Sequence, residues 1–328
     1  MDDTRTLPPI RDASSQQAGS PHRRALLKCM VWAGTGVLWT VSGGVPRSQL
    51  IGSACAASPG APAQAAGGFS FIQISDSHIG FASAPNTDTP GTLREAIGLV
   101  ARQKGDATLL LHTGDVSQLS KPAQFDTADQ IIREARLDVR YVPGEHDVLV
   151  DDGRAFFERF TPGAPRGWYS WDQQGVHFAA LNNVQGLKAG GLDNLGAEQL
   201  TWLERDLAGR SASQPIVVLA HVPLWTVSPE WGWGTDDGAQ ALAFLRRFGS
   251  VTVLNGHIHQ VMQKVEGNVA FHTAQSTAFP QPAPGTAPSP GPIKDLPAGK
   301  LRSMLGVTRV SQVQGQSGLA IIDTPLGA

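Results

Sequence analysis

Five short segments of this chain place carboxylate or imidazole side chains directly after apolar, β-branched runs. They are Asp76-Ser77-His78, Gly114-Asp115, Gly144-Glu145-His146-Asp147, His221 and Gly256-His257-Ile258-His259. Together they provide enough ligands for two metal ions, and no cysteine joins the set. Imidazole mixed with carboxylate favours manganese, iron, zinc or cobalt over calcium and magnesium, which prefer oxygen ligands alone.

The run before each segment is typical of a short buried strand. These runs cover residues 69–75, 107–111, 139–142, 216–220 and 251–254. Because ligands of α/β proteins bind beyond the carboxyl ends of the strands, the five segments are expected to converge on one site. Side chains alternate along an extended strand, so Asp76 and His78 are expected to point the same way and to bind one ion together. The same reasoning applies to His257 and His259.

Three glycines precede candidate ligands, at positions 114, 144 and 256. A ligand brought close to a neighbouring strand needs little side-chain bulk beside it, which glycine provides. Amphipathic helices are predicted between the strands, over residues 92–104, 122–137, 197–207 and 236–248, and further strands over 269–273 and 319–322. This alternation of strand and helix predicts an α/β protein.

The five segments resemble the signature of the calcineurin-like metallophosphoesterase superfamily, which runs D-x-H, G-D, G-N-H-D/E, H and G-H-x-H in this order. Within it, Asn255-Gly256-His257-Ile258-His259 is most similar to the bacterial class III cyclic-nucleotide phosphodiesterases. The resemblance implies a four-layer α/β/β/α sandwich, in which two mixed β-sheets are flanked by helices. It also implies hydrolysis of a small phosphoester at a binuclear centre of two divalent or mixed-valence ions (Mn, Fe or Zn), with a bridging hydroxide as the nucleophile.

By motif position, the resemblance assigns a role to each candidate residue. The first metal would be bound by Asp76, His78 and His259, the second by Glu145, His221 and His257, and Asp115 would bridge both. His146 would face the substrate as the catalytic general acid, because an imidazole can donate a proton near neutral pH.

Two residues depart from the family pattern. Glu145 stands where the family carries asparagine, so a hydrogen-bond donor to phosphate is lost and a negative charge is added. This charge predicts a preference for monoanionic phosphodiesters over dianionic monoesters. Gln118 stands where some branches carry an aspartate that orients the catalytic histidine. A phosphomonoesterase, or a catalytically weak metal-binding or phosphate-binding protein of the same fold, is therefore the alternative function.

Other polar and aromatic residues leave alternatives open. Trp225, Trp231 and Trp233 follow the His221 segment and either line a substrate cleft or pack in the core. Asn182 and Asn183 end an apolar run and either reach the site or serve in a turn. Three further histidines are interpreted as structural strand positions: His112, His177 and His272. The Pro- and Gly-rich residues 281–299 form either a lid or a solvated loop.

The N-terminal region has the features of a twin-arginine export signal. Arg23 and Arg24 precede an apolar stretch over residues 29–45, and Ala-rich sequence follows. We therefore divide the chain into a leader and linker, 1–67, and a catalytic domain, 68–328. The precursor is expected to use the Tat export machinery and to reach the periplasm or be secreted, with a membrane anchor as the alternative. Both cysteines, Cys29 and Cys55, lie in the leader.

Charge argues against a polymeric nucleic acid as partner. Residues 1–67 contain six of the 26 basic and three of the 28 acidic residues, which leaves 20 basic and 25 acidic residues in 68–328. An acidic domain without runs of lysine and arginine binds the phosphate backbone of a nucleic acid poorly, so small substrates are favoured. The sequence does not determine the oligomeric state.

Overall fold

A computed structural model describes residues 37–42, 45–50, 69–185, 192–312 and 318–327. The chain divides into two units, 1–63 and 64–328. In the first unit, β1 (Val37–Ser42) pairs antiparallel with β2 (Val45–Leu50), and Val37 lies opposite Leu50. The rest of the predicted export signal lies outside the described residues. Within the described ranges, no helix has the length and apolar character needed to cross a membrane.

In the second unit, strands and helices alternate through most of the chain. In chain order the elements are β3 (Ser70–Ile74), α1 (Thr89–Gln103), β4 (Leu109–His112), α2 (Pro122–Arg133), β5 (Asp138–Tyr141), α3 (Arg154–Phe160), β6 (Tyr169–Gln173), β7 (Val176–Ala180), α4 (Ala197–Leu207), β8 (Ile216–Leu219), α5 (Gly238–Leu245), β9 (Val251–Asn255), β10 (Met262–Glu266), β11 (Val269–Thr273), α6 (Leu301–Met304), β12 (Gly306–Gln312) and β13 (Leu319–Pro325). Two 3-10 turns, Glu145–Asp147 and Pro229–Trp231, follow β5 and β8.

The strands form two mixed sheets. The first has the order β13-β12-β3-β4-β5, with β3, β4 and β5 parallel and β12 antiparallel to β3. The second has the order β10-β11-β9-β8-β7-β6, with parallel central strands and antiparallel edge strands β10 and β6. The carboxyl ends of the central parallel strands carry the candidate ligands.

Three buried clusters explain the layering. Alternate residues of β3 face opposite sides of its sheet: Phe71 packs against side chains of the second sheet, while Ile72 and Ile74 pack against α1 and α2. Phe71 meets Phe178 of β7 edge to face, with ring centroids 5.5 Å apart, in the core between the sheets. A third cluster joins the outer face of the second sheet to α4 and α5. The result is the predicted four-layer α/β/β/α sandwich.

The sequence patterns located most central elements correctly. The helix over 197–207 and the strand over 269–273 match the structure exactly, and the ligand-bearing strands match within two residues. Helix α2 ends at Arg133, before the predicted residue 137, because the chain turns through Arg136, whose φ is 52°. Helices α3 and α6 and strands β1, β2, β6, β10 and β12 were not predicted from the sequence.

Candidate metal centre

The candidate ligands meet at the carboxyl edge of both sheets, in two adjoining groups. Ligand atoms within one group lie within 4.8 Å of one another. One group contains Asp76, His78 and His259, and the other contains Glu145, His221 and His257. Asp115 and His146 form a further group with His78. All eight residues predicted from the sequence are therefore brought together.

Asp115 lies between the two groups. Its Oδ2 is 3.3 Å from His78 Nε2 in one group and 3.4 Å from His221 Nε2 in the other. Its Oδ1 accepts a hydrogen bond from the backbone N–H of His146 at 2.9 Å. One oxygen is thus fixed by the backbone, and the other is directed equally to both groups.

Asp76 and His78 lie in one group, as expected, but the argument from strand alternation is wrong. Strand β3 ends at Ile74 and β9 ends at Asn255, so the D-x-H and H-x-H pairs lie in loops. His257 and His259 belong to different groups instead of sharing one. Five candidate ligands have left-handed backbone conformations: Asp76 (φ 54°), His78 (40°), Asp115 (54°), His257 (68°) and His259 (54°). Such conformations cost free energy in residues other than glycine and concentrate at functional sites.

The expected need for glycine beside the ligands is confirmed at all three positions. Gly114 has a φ of 96°, and a Cβ there would lie 2.7 Å from Cγ of His221. A Cβ on Gly256 would lie 2.5 Å from Asp76 Oδ2, and a Cβ on Gly144 would lie 2.7 Å from the carboxyl carbon of Asp115. None of the three positions could therefore hold a larger residue without moving a candidate ligand.

Three histidines are oriented by a hydrogen bond from the ring nitrogen that faces away from the site. His221 Nδ1 donates to the carbonyl of Thr113 at 2.6 Å, and His259 Nδ1 donates to that of Phe279 at 2.6 Å. His78 Nδ1 donates to the side-chain oxygen of Gln118 at 3.0 Å. Each Nε2 is thereby left with a lone pair directed into the site, which is the arrangement of metal-binding histidines.

Several atoms in the site are buried without a hydrogen-bond partner among the described residues. Asp76 Oδ2 and His257 Nε2 have no such partner, and Glu145 Oε2, His221 Nε2 and His257 Nδ1 lie in ion-pair contacts of 2.9 Å that lack the alignment of a hydrogen bond. His78 Nε2 and His259 Nε2 also face each other at 3.2 Å, with both rings donating through Nδ1. Two lone pairs at this distance repel unless a cation lies beside them. The donor set therefore fits metal ions.

The charges of the metal-free site support the same conclusion. Burial raises the pKa of Glu145, but the neighbouring His257 and His221 outweigh it and hold this pKa well below its usual range. Burial lowers the pKa of His221, yet the charges of Asp115 and Glu145 raise it well above the ordinary value. Burial lowers the pKa of His78 to about 3, so this imidazole stays neutral. The pKa values of Asp76 and Asp115 are lowered as well, so the carboxylates of the ligand groups stay ionised and attract positive charge.

Glu145 occupies the place of the family's asparagine and contacts two imidazoles. Its Oε2 lies 2.9 Å from His221 Nε2, and its Oε1 lies 2.9 Å from His257 Nδ1. A cation at this point would be held by one carboxylate and two imidazoles.

Position 118 lacks the aspartate that orients the catalytic histidine in some branches of the family, but the ring of His146 has another hydrogen-bond partner. Its Nδ1 donates to the backbone carbonyl of Gln118 at 2.8 Å, so residue 118 orients the ring through its main chain. Burial lowers the pKa of His146, but the charges of Asp115 and Glu145 outweigh it and raise this pKa in the metal-free protein. The ring lines the cavity above the two groups.

Two aspartates at the site were not assigned a role from the sequence. The carboxylate of Asp147 accepts hydrogen bonds from Val116 N, Ser117 N and Gly144 N at 2.8–3.1 Å, and so joins the loops that follow β4 and β5. The Gly144–Asp147 motif already contained this residue. Asp193 is fully buried, and neither oxygen has a hydrogen-bond partner in the described part of the chain. No motif marks this position.

Asp193 lies near the second group. Burial and the charge of Glu145 raise the pKa of Asp193 to about 7. The carboxyl group is therefore partly protonated near neutral pH in the metal-free protein.

The structure decides between the alternatives left open for the other residues. Trp231 and Trp233 line the site cavity, whereas Trp225 packs on Phe271 on the outer face of the second sheet. Asn183 donates to the carbonyl of Val222 at 2.8 Å and so fixes the His221 loop, and Asn182 donates to the carbonyl of Arg166. Neither asparagine is among the described residues that line the cavity.

Among the described residues, the other three histidines lie in strands and have partners of their own. His112 contacts Ser77, His177 lies between Asp172 and Asp206, and His272 contacts Asp323.

Part of the Pro- and Gly-rich segment 281–299 forms a wall of the site. Pro290, Gly291 and Pro292 line the cavity. The side chain of Gln281 donates to the carbonyl of His257 at 2.8 Å and accepts from Gly291 N at 2.8 Å. This single side chain connects the segment to the backbone of a candidate ligand, whereas Gly285, Thr286 and other residues of the segment are exposed.

Comparisons with known proteins agree with this site. A 3′,5′-cyclic-nucleotide phosphodiesterase of Nostoc sp. is 24% identical over 216 residues, which cover 64% of this chain and 79% of that protein. A glycerophosphodiester phosphodiesterase of Enterobacter lignolyticus is 25% identical over 190 residues, 55% of this chain and 66% of that protein. The crystal structure of a dimetal phosphatase from Danio rerio has the same fold, with a TM-score of 0.54, 14% identity, and coverage of 78% of this chain and 98% of that one.

The family model for calcineurin-like phosphoesterases matches residues 69–261, more than half of the chain. This range contains all five motif segments. The chain therefore belongs to the calcineurin-like phosphoesterase family, and it is a hydrolase that acts on phosphoester bonds.

Proposed function

We propose that this protein is a phosphodiesterase with a binuclear metal centre. The observation that carries the proposal is the position of Asp115 Oδ2, 3.3 and 3.4 Å from one imidazole of each group. Asp76, His78 and His259 would hold the first ion, and Glu145, His221 and His257 the second. When bound, two ions of this kind would lower the pKa of a water molecule for attack on phosphorus and would offset the charge of the phosphate oxygens.

His146 is proposed to protonate the leaving oxygen. Its Nδ1–H is held by the carbonyl of Gln118, so Nε2 is the nitrogen available to the cavity. A fixed ring orientation places this proton without rearrangement during the reaction. The backbone N–H of His146 also holds Asp115 Oδ1, so the proposed acid and the shared carboxylate are positioned together.

The charges of the cavity support a diester substrate. Asp115 and Glu145 line it, and no lysine or arginine is found among the described lining residues. A dianionic monoester meets more repulsion here than a monoanionic diester does. The relatives from Nostoc and Enterobacter are named for phosphodiesters, a cyclic nucleotide and a glycerophosphodiester.

The test compares hydrolysis of bis(p-nitrophenyl) phosphate with that of p-nitrophenyl phosphate, after the metal-free protein is reconstituted with manganese, iron or zinc. Faster turnover of the diester and two bound ions per chain are expected. His146→Ala should lose turnover while retaining its metal, which separates loss of the acid from loss of the centre.

Glu145→Asn tests the charge argument. Removal of the negative charge should increase activity on the monoester relative to the diester. An unchanged ratio would contradict the role given to Glu145. Preference of the wild type for the monoester would favour a phosphomonoesterase, and two bound metals without turnover of either ester would favour a metal-binding or phosphate-binding protein.

We further propose that the precursor is exported through the twin-arginine route to the periplasm or beyond. The support is the Arg23-Arg24 pair before the apolar stretch. Replacement of both arginines by lysine should retain the protein in the cytoplasm on cell fractionation, whereas the control Arg11→Lys should not. Export of the double variant would contradict this route.

A further inference from the structure

The cavity above the candidate metal centre has aromatic walls. Its volume is about 370 Å³. Phe279 packs on His78 and His259, with ring centroids 4.8 and 4.6 Å away, at the end of the first group. Trp233 lies 6.5 Å from His257, at the end of the second group. The floor is therefore polar, and both ends are aromatic.

At each end, one buried ring supports a more exposed ring. Trp233 is 1% exposed, and Trp231 packs edge-on against it with centroids 4.9 Å apart at 89°. Phe279 is 5% exposed and packs on Phe81 at 4.4 Å. Trp231 and Phe81 are partly exposed and line the cavity. They present apolar surface to whatever lies above the metal centre.

The turn that carries Trp231 is held by its backbone. Gly232 N donates to the carbonyl of Pro229 at 3.1 Å, and Trp233 N donates to that of Ser228 at 2.9 Å. A ring that is fixed before a ligand arrives loses little conformational entropy on binding. Pro290 and Pro292 add further apolar surface to the wall.

The lining also restricts the charge of the substrate. Asp115 and Glu145 lie at the floor of the cavity, and no lysine or arginine is found among the described lining residues. A second phosphate group would therefore have no positively charged partner. The cavity lies at the small end of the range for ligand sites, roughly 300–1,000 Å³. One planar ring system beside the phosphoryl group suits this space and this surface.

We propose that the cavity contains a subsite for an aromatic ester group, in which Trp231 stacks on a nucleobase or aryl ring of a monoanionic phosphodiester. This inference rests on the proposed function and names its substrate class. Alkyl diesters, including glycerol esters, lack the stacking contribution and bind more weakly.

The test measures competitive inhibition by two phosphonate monoesters of equal charge, phenyl methylphosphonate and methyl methylphosphonate, on the metal-loaded full chain. Stacking of one ring on an aromatic side chain corresponds to roughly five- to hundredfold in affinity. The phenyl ester is therefore expected to bind at least about fivefold more tightly to the wild type. Trp231→Ala should bring this ratio close to one, and Trp231→Phe should retain most of it.

Trp168→Ala is the matched control, because this ring packs against Arg166 and is not among the residues that line the cavity. Its affinity ratio should equal that of the wild type. A wild-type ratio near one, or a ratio that Trp231→Ala leaves unchanged, would overturn the subsite while diester hydrolysis persists. Absence of both diester hydrolysis and phosphonate binding in the metal-loaded protein would overturn the proposed function as well.

Discussion

Replacement of Gly144 by alanine is expected to displace the carboxylate shared by the two ligand groups. Gly144 has φ −102° and ψ 171°, which alanine adopts without strain, so only space opposes the change. The new Cβ would clash with Oδ1 and with the backbone nitrogen of Asp115, and it would lie 2.7 Å from the carboxyl carbon, whereas ordinary contact begins near 3.4 Å. The carboxyl group and the backbone of Asp115 must therefore move by about 1 Å or more.

Overpacking of this kind typically costs about 1–3 kcal/mol of stability. Displacement of a reacting group by about 1 Å can cost about a hundredfold in rate, so a shift of this size should lower the rate of diester hydrolysis by at least about tenfold. The assays are urea denaturation, metal content after dialysis, and steady-state turnover. We expect reduced stability, partial metal loss and reduced turnover together.

The control is Gly98→Ala in α1, where the nearest atom to the new Cβ is Arg102 Nη1 at 3.5 Å. This change should stabilise the protein by about 0.5–1 kcal/mol and leave turnover unchanged, since alanine favours the helix. If Gly144→Ala retained wild-type metal content and turnover, the close approach of Gly144 to Asp115 would not constrain the site, and the reasoning would be refuted.

Three further changes test other parts of the structure. Gln118→Ala removes the side-chain oxygen that accepts from His78 Nδ1, but it keeps the backbone carbonyl that holds His146. Metal affinity, measured by competition with a chelator, should therefore fall about 10- to 100-fold. Unchanged affinity would count against this orienting role of Gln118. The pKa of Asp193 is raised to about 7 by burial and by Glu145, so the contribution of this carboxyl group to the stability of the metal-free protein should become unfavourable as pH rises from about 4 to 8. Asp193→Asn should match the wild type near pH 4 and be more stable at pH 8, by at most about 4 kcal/mol, in urea titrations; an equal difference at both pH values would contradict this. Phe178→Ala removes a ring that is stacked on Trp171 at 4.7 Å in the core between the sheets, and should cost about 3–5 kcal/mol in the same assay; a loss below 1 kcal/mol would be inconsistent with this packing.

The sequence predicted the central elements and the ligand set because both depend on local patterns. Apolar runs followed by acidic or imidazole residues located the carboxyl ends of β3, β4, β5, β8 and β9, and the parallel order of these strands brings the ends together. Strands β6 and β10, the two edges of the second sheet, were missed because their apolar patterns are weak. For example, every residue of β10 is partly or fully exposed, and its sequence lacks the apolar run that marks a buried strand.

The site contained features that no local pattern could predict. The left-handed conformations of Asp76 and His257 depend on contacts between loops, so alternation along a strand gave the wrong geometry. The carbonyl partner of His146 is a main-chain atom that any residue at position 118 would supply. Asp193 lies outside every motif, and only the fold places it near Glu145.

Each proposed ion would cross-link the two sheets. Asp76 and His78 follow a strand of the first sheet, whereas their group partner His259 follows a strand of the second. Glu145 follows the first sheet, and His221 and His257 follow the second. Metal binding is then coupled to the packing of one sheet on the other, so that stability rises with the concentration of free metal. A metal-poor environment would weaken the carboxyl edge of the sandwich first, while the hydrophobic core between the sheets still holds them together.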